Sequence, residues 1–387
     1  MKFLLGKSWR LALPCMFAFL AANRVFAQKA AVESAAFFKS DKIVHLDIEI
    51  GSKPLSLLRL DPRKYVTATL TEGDNVYPDI GIHLRGGLGS FRPIDEKPGL
   101  TLNINKFGED KLFHGMDKWH LCNSAQDPSY LSELICGEMM RAAGVPTSRI
   151  HHAVVTLNGR PLGMYYLKEG YDKHFLKQHF KNADGNFYDG GFLRDIDQPL
   201  QLVRTKDDVK DWADLKALTA AAREPDLKKR FEKLEKLLDM DIFISNFVMQ
   251  AILGDWDGYV FNRNNYRVYH DPKRDKIIFI PSGMDQEFGN AVQGPLIPPM
   301  NGLVAKAVLQ TPEGRARYLK RMAEINTTIM VPERWNKRLD ELQARVQPEL
   351  AKIDAAAGRD YAKQVDRIRK FFRDRPKSIE RQLKAAK

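Results

Sequence analysis

The sequence predicts an α+β fold in two lobes, strand-rich first and helix-rich second. Three observations carry this. Beyond residue 27 the first half alternates apolar and polar residues over short, turn-bounded stretches, the period-two mark of half-buried strands. From Asp172 onward apolar residues recur mostly at three- and four-residue spacing, as on helices. Finally, 387 residues with 44% hydrophobic content supply a sizeable core.

Taken in order, residues 1–27 read as a secretory signal peptide. Lys2, Lys7 and Arg10 precede an apolar run from about Leu11 to Ala22, and Val25-Phe26-Ala27 fits a cleavage site. The run is short for a membrane span, an uncleaved anchor being the alternative; Cys15 follows Pro14 inside it, unlike a lipid-attachment cysteine. The expectation is an exported protein, periplasmic or extracellular, with no transmembrane segment once the signal is removed.

Residues 28–170 form the expected strand-rich lobe. VHLDIEI, VTATLTEG, YPDIGIHLRG, GLTLNINKF and KWHLCN read as strands. SYLSELICGEMMRAAG reads as one inserted helix, opened by Asp127-Pro128 and closed by Gly144. HHAVVTLNGRPLGMYYLKEG reads as a hairpin through Asn158-Gly159. Residues 171–387 form the helical lobe: DKHFLKQHF, a Gly/Asp-rich loop NADGNFYDGGF, amphipathic runs over 206–253, and helix from about residue 303 to the end. Within it, NYRVYHDPKRDKIIFIP reads as a strand pair around Asp271-Pro272. Cys122 and Cys136 fit a disulfide or two buried thiols, and without a CxxC pair no thiolate zinc site is expected.

The net charge of +12 favours anionic partners, with the basic C-terminal runs RARYLKR and RIRKFFRDRPK as candidate surfaces or simply solvated helix faces. Export argues against nucleic acid as a partner.

Four clusters bear on chemistry. Gly86, Gly87 and Gly89 in HLRGGLGSFRP suit either a tight β-turn or backbone amides turned toward phosphate, without the spacing of a Walker loop. Lys97, at the start of the next strand, is placed to reach a phosphate or to lie on the surface. In GDWDGYVFNRNNY, aspartates followed by asparagines on a loop entering a strand suit proton acceptance and metal binding, or equally helix and turn capping. In IIFIPSGMDQEFG, a strand delivers Asp285 and Glu287 where a carboxylate would meet Mg²⁺. A glycine loop, strand lysine, helix, hairpin, Asp–Asn loop, strand and aspartate, in that order, is the order of a bilobal protein-kinase-like fold. Asp255 and Asp257 also suggest a glycan-active pair, but residues two apart near a turn rarely face one another across a sugar.

The chain resembles the CotH kinase family of spore-coat-like, atypical secreted kinases. The likeness runs through YPDIGIHLRGGLGSF, EKPGLTLNI, LCNSAQDPSYLSELICGEMMRAAGVPTSR, VTLNGRPLGMYYLKEGYDKHFL, GDWDGYVFNRNNYRVYHDPKRDKIIFIPSGMDQEFG and the closing FFRDRPKSIERQL. It implies transfer of phosphate from ATP, with Mg²⁺ or Mn²⁺, to serine or threonine hydroxyls of a partner protein. By position, Asp257 would be the catalytic aspartate, Asn265 and Asp285 the metal ligands, and Gly86, Gly87, Gly89 and Lys97 the phosphate contacts. Glu169 matches a family glutamate that would contact nucleotide or couple the lobes, while Glu133 or Glu138 would pair with Lys97. Two departures stand out. Gly283 replaces the first aspartate of the family's Pro-Trp-Asp-x-Asp, and Asn264-Asn265 replaces His-Asn. The missing carboxylate opens the alternative of a pseudokinase, an envelope or assembly protein acting by binding.

Overall fold

The computed structural model describes residues 28–108, 111–204 and 211–385, so the expected signal segment lies outside the described residues. A helix over 28–39 (α1) leads into β1 (Val44–Glu49), α2 (Ser52–Leu60), β2 (Val66–Glu72), β3 (Asn75–Arg85), β4 (Gly99–Asn103) and β5 (Lys118–Cys122). Next come α3 (Ser132–Ala142), β6 (Ile150–Leu157) and β7 (Arg160–Glu169). The seven strands close into a barrel in the order β1-β2-β3-β4-β5-β7-β6. All neighbours are antiparallel except β1 and β6, which run parallel with Val44 opposite Ala153 and Ile48 opposite Leu157.

Alternation explains the barrel's filling. Leu46, Ile48, Leu70, Ile82, Leu102, Leu121, Val155 and Leu167 turn inward around Trp119, a packed interior. The β6–β7 turn has positive φ at both Asn158 (48°) and Gly159 (72°), as a type I′ hairpin needs. The Asn158 side chain also bonds both backbone groups of Ile50, fixing the end of β1 (2.7 and 2.9 Å). Helix α1 packs on the barrel through Phe37, whose ring lies 4.4 Å from His114 and 4.8 Å from His151.

The rest is mostly helical: α4 (Lys173–His179), α5 (Ala213–Ala222), α6 (Leu227–Leu237), α7 (Met240–Leu253), α8 (Tyr259–Asn262), α9 (Leu303–Gln310), α10 (Pro312–Thr328), α11 (Pro332–Ile353) and α12 (Ala355–Ala385). A four-stranded sheet, ordered β11-β10-β8-β9, joins β10 (Tyr266–Asp271) and β11 (Lys276–Pro281) to β8 (Phe187–Asp189) and β9 (Gln201–Arg204). The expected Gly/Asp-rich loop thus contains a short strand, because Phe187 and Tyr188 pair with Tyr269 and Val268. Helix α7 is apolar nearly all round and buried on all sides except near Asp241 and Ile242. Helices α11 and α12 fold back antiparallel, with Trp335 stacked on Phe372 at one end and Gln347 bonded to Gly358 near the turn. Several basic side chains on α12 are paired with acidic ones of the same hairpin, as Arg369 with Asp340 and Lys363 with Asp360.

Helix α3 comes from the strand-rich half yet belongs to the main core. Its Leu134, Ile135, Met139 and Met140 share a cluster with α7, α11 and α12, and Tyr361 of α12 donates to the Ser129 carbonyl just before it (2.8 Å). Among the described residues no helix is long and apolar enough to cross a membrane, and Cys122 and Cys136 are buried free thiols.

Candidate active site

The polar loop after α7 is built from the helix end upward. Gly254 terminates α7 in the left-handed region (φ 73°), which glycine adopts without a Cβ clash. Within α7, Asn246 donates to the Phe279 carbonyl and accepts from Gln250 (2.9 Å), whose own side-chain oxygen receives the Val260 N–H (3.1 Å). This buried amide ladder ties helix, loop and β11 together. Gly258 closes the turn, since a Cβ there would stand 2.5 Å from both Asp255 Oδ2 and Gln250 Oε1.

Three asparagines then converge on one carboxylate. Asn262 and Asn264 donate to Asp257 Oδ1 (2.9 and 3.1 Å), and Asn265 donates to Oδ2 (2.9 Å). Arg263 and Asn265 have positive φ, the bend that returns the asparagines to Asp257.

Asp285 arrives from the other side. The strand β11 ends at Pro281, whose carbonyl accepts from Tyr171 Oη (2.6 Å), and Ser282 N–H bonds the Asn265 carbonyl (2.8 Å). Glu133 of α3 then accepts the N–H groups of Gly283 (3.3 Å) and Met284 (2.6 Å) while forming a buried ion pair with Lys168 of β7. Burial works against the Lys168 charge, but Glu133 outweighs it and holds the ammonium above its ordinary pKa. Asp285 is left facing the cleft with its carboxyl pushed up to about 6, by burial first and then by the charge of Glu133.

The cleft these residues line measures ≈ 530 Å³, within the range of small-molecule sites. Its roof is the end of β3, with Arg85, Gly86, Gly87 and Leu88. Asn123 braces that loop by donating to the Ser90 and Lys97 carbonyls (both 2.9 Å). Gly86 sits at φ 118° with Phe91 too close to admit a Cβ. The Gly87 N–H points back into the loop, onto Ser90 Oγ (3.0 Å), rather than outward to an anion. Arg85 is the better anion contact: its guanidinium donates to the Cys122 thiol and lines the cleft. Sequence reading passed over Arg85, although its place immediately before the glycines was the available signal.

Gly86, Gly87, Asp257, Asn265 and Asp285 therefore meet in one cleft, whereas Gly89, Lys97 and Glu169 are not among its lining residues. Lys97 lies between the Tyr130 and Tyr165 rings (5.3 and 5.1 Å) and donates to Tyr130 Oη; burial lowers its pKa to about 8. Neither expected glutamate pairs with it, for Glu133 holds Lys168 and Glu138 holds Arg338 (2.8 Å). The buried lysine–glutamate pair thus exists on a different strand from the one expected. Glu169 is bound by Arg149 through Nε (3.0 Å), a brace inside the fold. Asp255 and Glu287 form a buried carboxyl pair: burial first and then the charge of Asp257 raise Asp255 against its hydrogen bond with Glu287, while burial first and then the Asp255 carboxylate raise Glu287.

Among the described residues no three His, Cys, Asp or Glu side chains gather as a metal cage. Asp285 and Asn265 offer one carboxylate and one amide oxygen, and the bare Cα of Gly283 makes room for that oxygen, since a Cβ would lie 2.8 Å from Asn265 Oδ1. Such a pair fits a magnesium ion that takes its remaining oxygens from phosphate and water.

A family model described as CotH kinase protein matches residues 82–379. The "Inner spore coat protein H" of Bacillus subtilis is 22% identical over 262 residues, spanning 62% of this chain and 71% of that protein. The "Spore coat protein homolog 1" of Rhizopus delemar is 23% identical over 184 residues, spanning 42% of this chain and only 29% of the relative's length. The matched segment begins in β3, ends in α12, and takes in the cleft from Arg85 to Gln286. The chain belongs to the CotH family.

Proposed function

We propose that this chain is an exported CotH-type kinase that transfers phosphate from ATP to a serine or threonine hydroxyl of a partner protein. The observation that carries the reading is the convergence of Asn262, Asn264 and Asn265 on Asp257 in the same cleft as Arg85 and Asp285. A carboxylate held by three amide donors is fixed in orientation, as a group that receives a proton in the transition state must be. Asp257 would accept the acceptor hydroxyl's proton as the new O–P bond forms. The bond from the γ-phosphorus to the β,γ-bridging oxygen breaks in the same step, and ADP leaves. Arg85 would bind phosphate oxygens in place of the glycine-loop amide, and the magnesium ion held by Asn265 and Asp285 would neutralise phosphate charge. The Lys168–Glu133 pair supports a kinase-like, two-lobed arrangement, because Glu133 also holds the backbone just before Asp285.

The test is labelled ATP with Mg²⁺ or Mn²⁺ and the purified chain, scored for label on the chain itself and on added protein acceptors. Asp257→Asn should lower transfer by about a hundredfold or more, with a melting curve checking that the variant stays folded although its amide now faces one of the asparagine donors. Equal transfer in that variant would refute the role of Asp257. A second reading, a pseudokinase that works by binding envelope partners, is favoured by Gly283, which leaves Asp285 as the only carboxylate of the motif. Nucleotide binding that ignores Mg²⁺, with no transfer, would select it.

A further inference from the structure

Four exposed apolar side chains meet at the mouth of the same cleft: Leu88 (84% exposed), Phe192 (60%), Leu193 (38%) and Trp256 (54%). Of the other large exposed apolar residues among those described, only Leu57 and Leu60 share an element, α2, and none lines the cleft. Isolated exposed apolar residues are ordinary, but several gathered at one concave site mark a contact surface.

These side chains are held out by the backbone rather than left on a loose loop. The stretch from Gly190 to Asp195 is pinned on both sides. Gly190 N–H bonds the Tyr266 carbonyl (3.1 Å), Tyr266 Oη donates to the Arg194 carbonyl (3.0 Å), and Asp195 accepts from Tyr259 Oη (3.0 Å) and Leu303 N–H (2.7 Å). Gly190 lies flat against the Tyr266 ring, where a Cβ would come within 2.3 Å. Leu193 has φ 55°, a left-handed conformation that is strained for any residue with a Cβ. Trp256 is bent outward between the Gly254 cap and the asparagine-bound Asp257, its N–H on the Gly254 carbonyl (2.7 Å). Strain and burial elsewhere thus maintain an apolar shelf that the fold itself does not use.

The chemistry of the lining limits what the shelf receives. Of the 21 residues around the cleft only Arg85, Asp257 and Asp285 are charged, although 28% of the whole chain is. The rim residues are uncharged and offer an acidic or basic side chain no counter-ion. Trp256 is the chain neighbour of Asp257, so a hydroxyl presented to Asp257 brings its own flanking residues onto Trp256. We infer that the acceptor is a polypeptide segment carrying an aromatic or large aliphatic residue next to the serine or threonine, seated against Trp256, Phe192 and Leu193. This rests on the proposed function for the identity of the cleft, and it concerns the acceptor alone.

Two measurements on the same protein separate the two ideas. Fluorescein-labelled peptides with one central serine, flanked by phenylalanine and leucine or by aspartate, lysine or glycine, are titrated with the chain and followed by anisotropy. The same peptides are offered with labelled ATP and Mg²⁺. The apolar-flanked peptide should bind about tenfold tighter than the others, and Trp256→Ala and Phe192→Ala should each erase most of that preference. Val76→Ala, an exposed apolar site at the opposite end of β3 from Arg85, serves as the control that keeps it. Preference in binding without phosphate transfer would uphold the shelf and reject the kinase reading. Equal binding of all flanks would overturn the inference, whether or not transfer occurs. A Trp256→Ala effect confined to nucleotide affinity would also overturn it, assigning the indole to the base instead.

Discussion

Replacing Glu133 with leucine removes three partners at once: the Lys168 ammonium and the N–H groups of Gly283 and Met284. Both side chains of the ion pair are only 4% exposed, so the stranded ammonium cannot be rescued by water. Breaking a buried pair by deleting one member costs about 3–5 kcal/mol. The Met284 N–H, well aligned at 2.6 Å, adds about 1–3 kcal/mol when left without an acceptor, and the longer Gly283 contact adds less. The single variant should therefore lose about 5 kcal/mol in urea unfolding, a large share of the stability of an ordinary domain. Adding Lys168→Met should restore about 3 kcal/mol of that, because the isolated charge is gone, and leave the backbone deficit of about 2 kcal/mol. A pH arm gives an independent sign. Without Glu133, burial depresses the Lys168 pKa, so the deficit of the single variant should shrink as the pH rises toward the ordinary lysine range. Additivity of the two substitutions within about 0.5 kcal/mol would refute the coupling.

Three further outcomes follow from the geometry. Gly283→Asp, which restores the family's carboxylate, should lower the melting temperature and not raise phosphate transfer, since the residue has φ 72° and a Cβ would press on Asn265; a more active variant would contradict this. His270 is held above its ordinary pKa chiefly by its hydrogen bond to Asp214, itself bonded by Tyr188 and Asn186, with Asp275 on the other ring nitrogen. Its contribution is complete below about pH 6.5 and is lost as the pH rises through the raised pKa, so His270→Gln should cost about 1–2 kcal/mol at pH 5.5 and much less at pH 9, read from urea midpoints. Arg375 is fully buried and donates to the carbonyls of Ala251 (2.9 Å), Ile252 (3.1 Å) and Gly294 (2.7 Å); Arg375→Met should cost about 3 kcal/mol or more and loosen the end of α7, checked by hydrogen exchange at residues 251–258.

Much of this architecture could be read from local pattern. The alternation of VHLDIEI, the Asn158-Gly159 turn, the unbroken apolar run of α7 and the strand pair around Asp271-Pro272 each carry their own signal, and each element lies where that signal is. The helices α1 and α2 went unread, each a short stretch set beside strand-like sequence. Barrel closure was not legible, because β1 alternates in the same way whichever neighbour it pairs with, and β6 lies about a hundred residues away. In the site, the aspartates and asparagines of the Asp257 loop were visible as a cluster, but their convergence depends on positive φ at Arg263 and Asn265, which sequence does not display. The lysine was the plainest failure: with 61 basic residues in the chain, nothing local distinguishes Lys97 from Lys168. Only the folded sheet shows which one faces Glu133.

The closed barrel has a consequence for how this protein behaves at high concentration. A sheet that returns on itself offers no row of unpaired amides to a second chain. In the small sheet, β11 is bounded by the Leu238–Ile277 bridge and the Asp239 N–H on the Ile277 carbonyl. Among the described strands, that leaves β9, four residues long and ending in Arg204, as the open edge. Edge-to-edge stacking into fibres is thereby confined to a strip of four residues, too short to template it.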